Sequence, residues 1–300
     1  MSMNADLPPV TAVVLNWNRP QDTLNCLRSL AATAYPALDV IVVDNGSTDD
    51  SAATIRTAFP EATVLENERN LGYAAGNNVG IDRALRGGAA FVLVINNDAT
   101  VEQDAIQELV RAAGRHTGAG ALVPKILYAA EPGRIWAAGA RWARIPPRVK
   151  LVGLNAADAP RFDRPHELAY ATGCAWLLSR PALEELGGFD PAYFMYQEDY
   201  DFCYRLRAAG YALHYVPSAR VRHAVSSGLG SFSPEWWYQW SRSVVRFYRV
   251  GNRFPAHWLG LFAAWVLLRE LGRGHVAFIP SFLRGVRDGR RALAASGSQG

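Results

Sequence analysis

Through residue 116, apolar positions fall in short unbroken stretches separated by segments of helical spacing. Val10–Asn16 (VTAVVLN) is rich in β-branched residues and reads as a buried strand. From residue 20 to about 32, Leu24, Leu27 and Leu30 recur at helical spacing. Residues 39–44 (DVIVVD) predict a second strand, and Ser47, Thr48, Asp49 and Asp50 offer N-cap side chains for a helix through residue 58. Thr63–Glu66 predicts a third strand, residues 74–86 a helix, 90–96 (AFVLVIN) a fourth strand and 101–116 another helix. Strands that are apolar throughout, alternating with helices, predict an α/β fold: a mostly parallel sheet covered on both faces.

The second half has a different rhythm. Residues 124–168 hold short strands, prolines, glycines and a polar loop around 155–167. A strand is expected at 170–179, a short helix at 181–186, and a helix at 199–209 ended by Gly210. Strands are expected at 211–216 and 219–223. From about 234 to 293 the chain reads helical, broken at Pro255 and Pro280.

Composition narrows the class. Half the 300 residues are hydrophobic and 19% are charged, which excludes a disordered chain. Three cysteines, with no CxxC pair, exclude a disulfide scaffold and point to a reducing cytoplasm. Residues 1–9 carry an acid and two prolines and lack the apolar core of a signal peptide. The net charge of +4 is too small to argue for nucleic acid, but its distribution is uneven. Residues 236–300 hold ten arginines and two acids, while residues 1–235 hold 21 basic and 25 acidic side chains, net −4. We therefore expect an acidic body (1–235, with a nucleotide half of about 10–125 and an acceptor half of about 126–235) and a basic helical tail (236–300).

Ligands of open parallel sheets bind beyond the carboxyl ends of the strands. Three polar clusters lie there: Asn16-Trp17-Asn18, Asp44-Asn45-Gly46-Ser47 and Asn96-Asn97-Asp98. The first turn, NWNRP, lacks GxGxxG, and no Walker A motif occurs, so a dehydrogenase-type site and a P-loop are disfavoured. Asp44 is placed to accept hydrogen bonds from a base or ribose, or to cap the next helix. The segment NLGYAAGNN, with Gly76, enters a helix where small residues admit a ligand and N–H groups favour phosphate. Asp98 suits a hard divalent cation completed by substrate phosphates, or a simple turn. Gln197-Glu198-Asp199-Tyr200-Asp201 sets three acids at a helix start after the apolar YFMY, which suits either capping or a buried general base. His223 ends a strand in RVRHAV and suits either a structural role or a metal contact.

In this order and spacing, VVLNWNRP, IVVDNGSTDDS, NLGYAAGNNVGI, VLVINNDATV and the stretch from ATGCAWLLSRPALEELGGFDPAYFMYQEDYDF to RVRHA resemble an inverting family-2 glycosyltransferase of the GT-A fold, over roughly residues 10–225. NLGYAAGNNVGI and GGFDPAYFMYQEDYDF look most like bacterial rhamnosyltransferases of cell-envelope polysaccharide assembly. The resemblance implies a Rossmann-like, mostly parallel sheet flanked by helices, with a C-terminal helical extension. It implies nucleotide contacts from Asn16, Asn18, Asp44, Gly76 and Asn97. Asp98, the last position of the DxD motif, and His223 would bind Mg²⁺ or Mn²⁺. Asp199 would be the catalytic base, with Glu198 positioning it or the acceptor, and Thr172 and Gly173 would line the acceptor side. The implied donor is dTDP-rhamnose, with a UDP-sugar as the alternative, and the acceptor a glycan or lipid-linked hydroxyl. One departure matters: the motif is Asn96-Asn97-Asp98, so its first carboxylate is missing.

In the tail, Arg242, Arg246, Arg249 and Arg253 fall along one helix face, and Trp237, Trp240, Val244 and Phe247 largely along another. Such helices lie in a membrane interface, pack on the body or form a homodimer contact. The longest apolar run, residues 258–268, is too short to span a bilayer. The expected location is the cytoplasm, peripheral on the inner face of the inner membrane. The competing readings are a non-catalytic relative that binds a sugar nucleotide as a scaffold, and a nucleotidyltransferase. The latter lacks its Gly-rich loop followed by Arg or Lys near residue 18.

Overall fold

A computed structural model describes residues 7–225, 233–250 and 253–297. The first half alternates β1 (Val10–Asn16), α1 (Pro20–Ala31), β2 (Leu38–Asp44), α2 (Ser51–Ala58), β3 (Thr63–Glu66), α3 (Gly72–Arg86) and β4 (Phe91–Asn96). Then come β5 (Ala99–Val101), α4 (Ala105–Arg115), β6 (Ala119–Tyr128), β7 (Ile135–Ala137) and a small hairpin, β8 (Ala140–Arg144) with β9 (Pro147–Leu151). The chain continues with β10 (His166–Glu167), β11 (Ala175–Ser179), α5 (Arg180–Leu186), α6 (Glu198–Ala208) and β12 (Ala212–His223). Three helices close it: α7 (Pro234–Arg249), α8 (Ala256–Leu271) and α9 (Ile279–Gly297).

The main sheet runs β10-β12-β6-β11-β4-β1-β2-β3, with β5 on β12 and β7 on β6. β1 pairs in parallel with both β2 and β4, so the strand order reverses beside β1 and opens a crevice at the strand ends. β11 runs antiparallel to β4 and β6. Successive side chains of a strand point to opposite faces, and each face buries its own apolar set. Val13, Val43, Ile81, Val94 and Trp176 pack on one side, and Ala12, Val14, Leu27, Ile55 and Ile106 on the other.

Three expectations shift. Residues 99–101 form β5, so the helix expected at 101–116 starts later, because this segment pairs with Val221–His223 of β12. The strand expected at 170–179 is confined to Ala175–Ser179, which leaves Thr172, Gly173 and Cys174 as a loop. The two strands expected at 211–223 are one, β12, with a register shift between Val216 and Arg220.

Residue 235 is not a packing boundary. Trp237, Val244, Phe247 and Tyr248 of α7 are buried in the same core as Tyr170, Phe202 and Trp176. Burying a large apolar side chain contributes about 1.5–3 kcal/mol, so α7 is held by the body it was expected to flank. The arginines expected along one helix face are also used internally, although α7 ends at Arg249 and Arg253 lies beyond it. Arg246 donates to Asp190 (2.6 Å), and Arg253 donates to the buried Asp201 (2.7 Å), which also takes Arg205 (2.8 Å). Removing one partner of a buried ion pair costs about 3–5 kcal/mol.

Candidate functional site

The parallel register sets Asn16 opposite Asp44 and Leu15 opposite Asn96, so the three polar clusters meet on one rim. They close largely on one another. Asn16 is fully buried; its amide donates to Asp44 Oδ2 (3.2 Å) and Ser47 Oγ (3.2 Å) and accepts from the Thr23 hydroxyl (2.7 Å). The Ser47 N–H donates to Asp44 Oδ1 (3.0 Å). Asn18, at φ 52°, accepts from the Thr48 N–H (2.8 Å). Asp44 thus shapes the turn after β2.

β5 creates the next contact. Ala99 pairs with His223 in the β5–β12 ladder, which brings the preceding residue, Asp98, beside the ring. Asp98 Oδ1 lies 3.0 Å from His223 Nε2, and both side chains are 8% exposed. Burial opposes a charged ring, but Cys174 and the Asp98 carboxylate outweigh it and push His223 up to about 10. Trp136 packs edge-on against the imidazole, with centroids 4.5 Å apart.

The opposite wall is the start of α6. Tyr196 and Gln197 both adopt positive φ, 71° and 70°, a strained conformation for non-glycine residues. They deliver Glu198 and Asp199 into the first turn, where the helix dipole favours negative charge. Asp199 accepts from the Gly173 N–H (3.1 Å) and from the Tyr200 N–H (2.8 Å). Burial pushes Asp199 up to about 6 against these hydrogen bonds. Glu198 lies well above the usual carboxylate range, through burial first and then its acidic neighbours Asp199 and Asp201. Its Oε2 is buried and has no hydrogen-bond partner among the described residues. Gly173 leaves little spare room: a Cβ there would lie 3.3 Å from that of Asp199. At Gly72 (φ 83°) a Cβ would meet the Phe194 carbonyl at 2.2 Å, so only glycine lets the 190–197 loop press on α3.

Between these walls lies a pocket of about 550 Å³ that takes in Asn97, Asp98, Thr172, Gly173, Glu198, Asp199 and His223. A family model described as "Glycosyltransferase like family 2" matches residues 8–242. The chain belongs to glycosyltransferase family 2. It is 32% identical over 248 residues to the N-acetylglucosaminyl-diphospho-decaprenol L-rhamnosyltransferase of Mycobacterium tuberculosis, covering 75% of this chain and 78% of that protein. Its fold resembles GalNAc-T7, solved with UDP, GalNAc and Mn²⁺ (TM-score 0.62, 17% identity, 87% of this chain), of which it spans about half (54%). It also resembles the mannosyltransferase PcManGT of Pyrobaculum calidifontis, solved with GDP-Man and Mn²⁺ (TM-score 0.57, 20% identity, 98% of this chain and 76% of that chain). These neighbours identify the GT-A fold.

In this glycosyltransferase the seven pocket residues just named were all singled out by sequence. Asn16, Asn18, Asp44 and Gly76 do not line the pocket. The first three build the rim behind it. Gly76 is a packing position, where a Cβ would meet Leu15 Cδ1 at 2.7 Å. Sequence reasoning missed Tyr73, whose hydroxyl hydrogen is shared between Asn96 Oδ1 (2.9 Å) and the Gly173 carbonyl (2.8 Å). Asn96, the neutral residue at the first motif position, is therefore turned toward the loop that holds Asp199. Sequence reasoning also missed an aromatic wall. Trp236 and Trp240 of α7 stack with ring centroids 5.5 Å apart, Tyr196 leans on Trp236, and all three line the pocket. The four-residue spacing of the two tryptophans signals one helix face, though not which wall it covers.

Among the described residues no three His, Cys, Asp or Glu side chains are grouped to hold a metal. The glycosyltransferase does present a carboxylate and an imidazole at 3.0 Å. A cation whose shell is completed by substrate phosphates would fit between them by displacing the proton the ring shares with Asp98.

Proposed function

We propose that this enzyme transfers rhamnose from dTDP-rhamnose to a hydroxyl of a lipid-linked glycan acceptor, with inversion, in cell-envelope polysaccharide synthesis. The observation that carries the reading is Asp199: a partly buried carboxylate, held by two backbone N–H groups, pushed up to about 6 and facing the pocket. A base of that strength is ionised at neutral pH yet basic enough to take a proton from an attacking hydroxyl. The acceptor oxygen forms its bond to the anomeric carbon as the bond to the diphosphate oxygen breaks. The hydroxyl proton goes to Asp199, and dTDP leaves with the electron pair. The rhamnosyl group and the lipid-linked acceptor are supported by the mycobacterial relative's name, which specifies both.

Asp98 and His223 would hold Mg²⁺ or Mn²⁺, which supplies charge neutralisation at the departing diphosphate. Mn²⁺ and nucleotides in the two solved structures support this assignment. Asp98 and His223 would orient the diphosphate, while Tyr73 ties Asn96 to the loop whose Gly173 N–H orients the base. Trp236, Trp240 and Tyr196 would give the acceptor sugar flat apolar faces and exclude water from the reacting centre.

The test is a panel of dTDP-, UDP- and GDP-sugars with Mg²⁺ or Mn²⁺, read by nucleotide release on bacterial lipid extract. Release is expected from dTDP-rhamnose. Transfer from a UDP-sugar alone would replace the donor. Neither transfer nor donor hydrolysis from any sugar nucleotide would leave a scaffold protein.

A further inference from the structure

The tail face expected to meet lipid is largely consumed inside the protein. Trp237, Val244 and Phe247 are buried, and Arg246 and Arg253 are bound to Asp190 and Asp201. A different surface is left. Leu261 (56% exposed), Leu268 (72%) and Leu271 share one face of α8 with the exposed Ala264. Their spacing of three, four and three residues is that of a helical stripe. The other face of α8, with Leu259, Phe262 and Val266, is buried, and Phe262 packs on Trp240 of α7. Val276 (60%) in the connector and Leu283 on α9 are exposed as well.

The outward stripe of α9 then turns basic: Arg284, Arg287, Arg290 and Arg291 are exposed. Of the two acids of residues 236–300, only Asp288 offsets part of it, lying against Arg287 and Arg291, and the four-arginine stripe stays net positive. Glu270 is buried under Arg269, Arg273 and His275, and Asp288 pairs with Arg287. Both helices pack on α7 around Trp240, through Phe262 and Phe282, so each turns its other face outward. No described helix is long and apolar enough to cross a membrane. An exposed leucine stripe bordered by arginines is complementary to a surface that is apolar beneath and anionic above.

We propose that the outer faces of α8 and α9 dock this enzyme flat on an anionic lipid bilayer, the leucines at the acyl boundary and the arginines on headgroup phosphates. The inference deepens the proposed function, resting on it only for the purpose of docking: reaching a lipid-linked acceptor.

The experiment is flotation of the full chain with phosphatidylglycerol-containing vesicles and with phosphatidylcholine vesicles. Binding to the anionic vesicles, weakened by salt, is expected. The double variant Leu261→Glu/Leu268→Glu should bind at least about tenfold more weakly, while donor binding stays unchanged. Arg287→Glu/Arg291→Glu provides a second variant that spares the apolar stripe, and it should lose the salt-sensitive part of binding. Wild type that ignores anionic vesicles, or variants that bind like wild type, would overturn the proposal. So would a wild-type dimer that the leucine variant dissociates, which would assign the face to a second copy. The readout needs neither donor nor acceptor, and Asp199→Asn should float like wild type. A failed donor panel and a failed flotation are therefore separate results.

Discussion

At the strand-end rim behind the pocket, Asn16, Asp44, Ser47 and Thr23 hydrogen-bond to one another. On the α6 wall of the pocket, two consecutive residues hold positive φ, Glu198 Oε2 is buried with no partner among the described residues, and Asp199 is pushed up to about 6. The contrast separates two tasks. A wall that only has to keep its shape can satisfy its polar groups internally, which costs little. Under the proposed mechanism the α6 wall accepts a proton, which needs a group left poised, and strain and desolvation would keep it so. Tyr73 bridges the two, from Asn96 at a strand end to the carbonyl of Gly173, the residue whose N–H binds Asp199.

The sharpest way to break this comparison is Asp199→Asn. It removes the base but keeps an oxygen acceptor, so donor affinity by calorimetry should hold while kcat falls by about 10²–10⁴-fold. Turnover near wild type would end the assignment. The pH profile supplies the same test without a mutation. A base must be deprotonated to act, so wild-type kcat should be low in acid, rise as pH passes about 6 and level off above it. A flat profile from about pH 5 to 8 would show that a different group takes the proton.

The next largest effect is expected at Asp98. Asp98→Ala leaves His223 without the carboxylate 3.0 Å away and removes the proposed oxygen ligand of the pair. Metal-dependent donor binding should weaken by about 10–100-fold. Equal donor affinity with and without Mn²⁺ in both wild type and variant would remove the metal role.

Much of the strand-end wall was legible because it is local. Val10–Asn16 and Thr63–Glu66 begin and end as their residue patterns predict. The α6 acids were legible as a cluster, since three acids after an apolar run stand out from their surroundings. What joins the pieces was not. Asp98 meets His223, 125 residues further along, only through the pairing of β5, a three-residue strand, with β12. Pro124 sits inside β6, although proline lacks the N–H a central strand uses. It lies opposite Val216, where the β12 register shifts, and a bulge there relieves the demand. Local pattern carries no information on either pairing. The tail shows the same limit: spacing identified its amphipathic helices, but the body chose which face it buried.

The smallest expected effect tests the quiet wall. Asn16→Ala leaves the Thr23 hydroxyl and Asp44 short of partners in a buried site, a loss of about 1–3 kcal/mol. The expectation is a lower melting temperature with kcat almost unchanged, measured by thermal unfolding and steady-state kinetics. Asn16 has no place on the pocket lining, so its loss should reach the donor only through a loosened turn. The effect on donor KM should then shrink as temperature falls and the turn re-forms. If KM instead rose strongly at a temperature where the variant is fully folded, Asn16 would touch the nucleotide directly. The strand-end wall would then be a binding surface that reorganises around its ligand, not one whose shape is set beforehand.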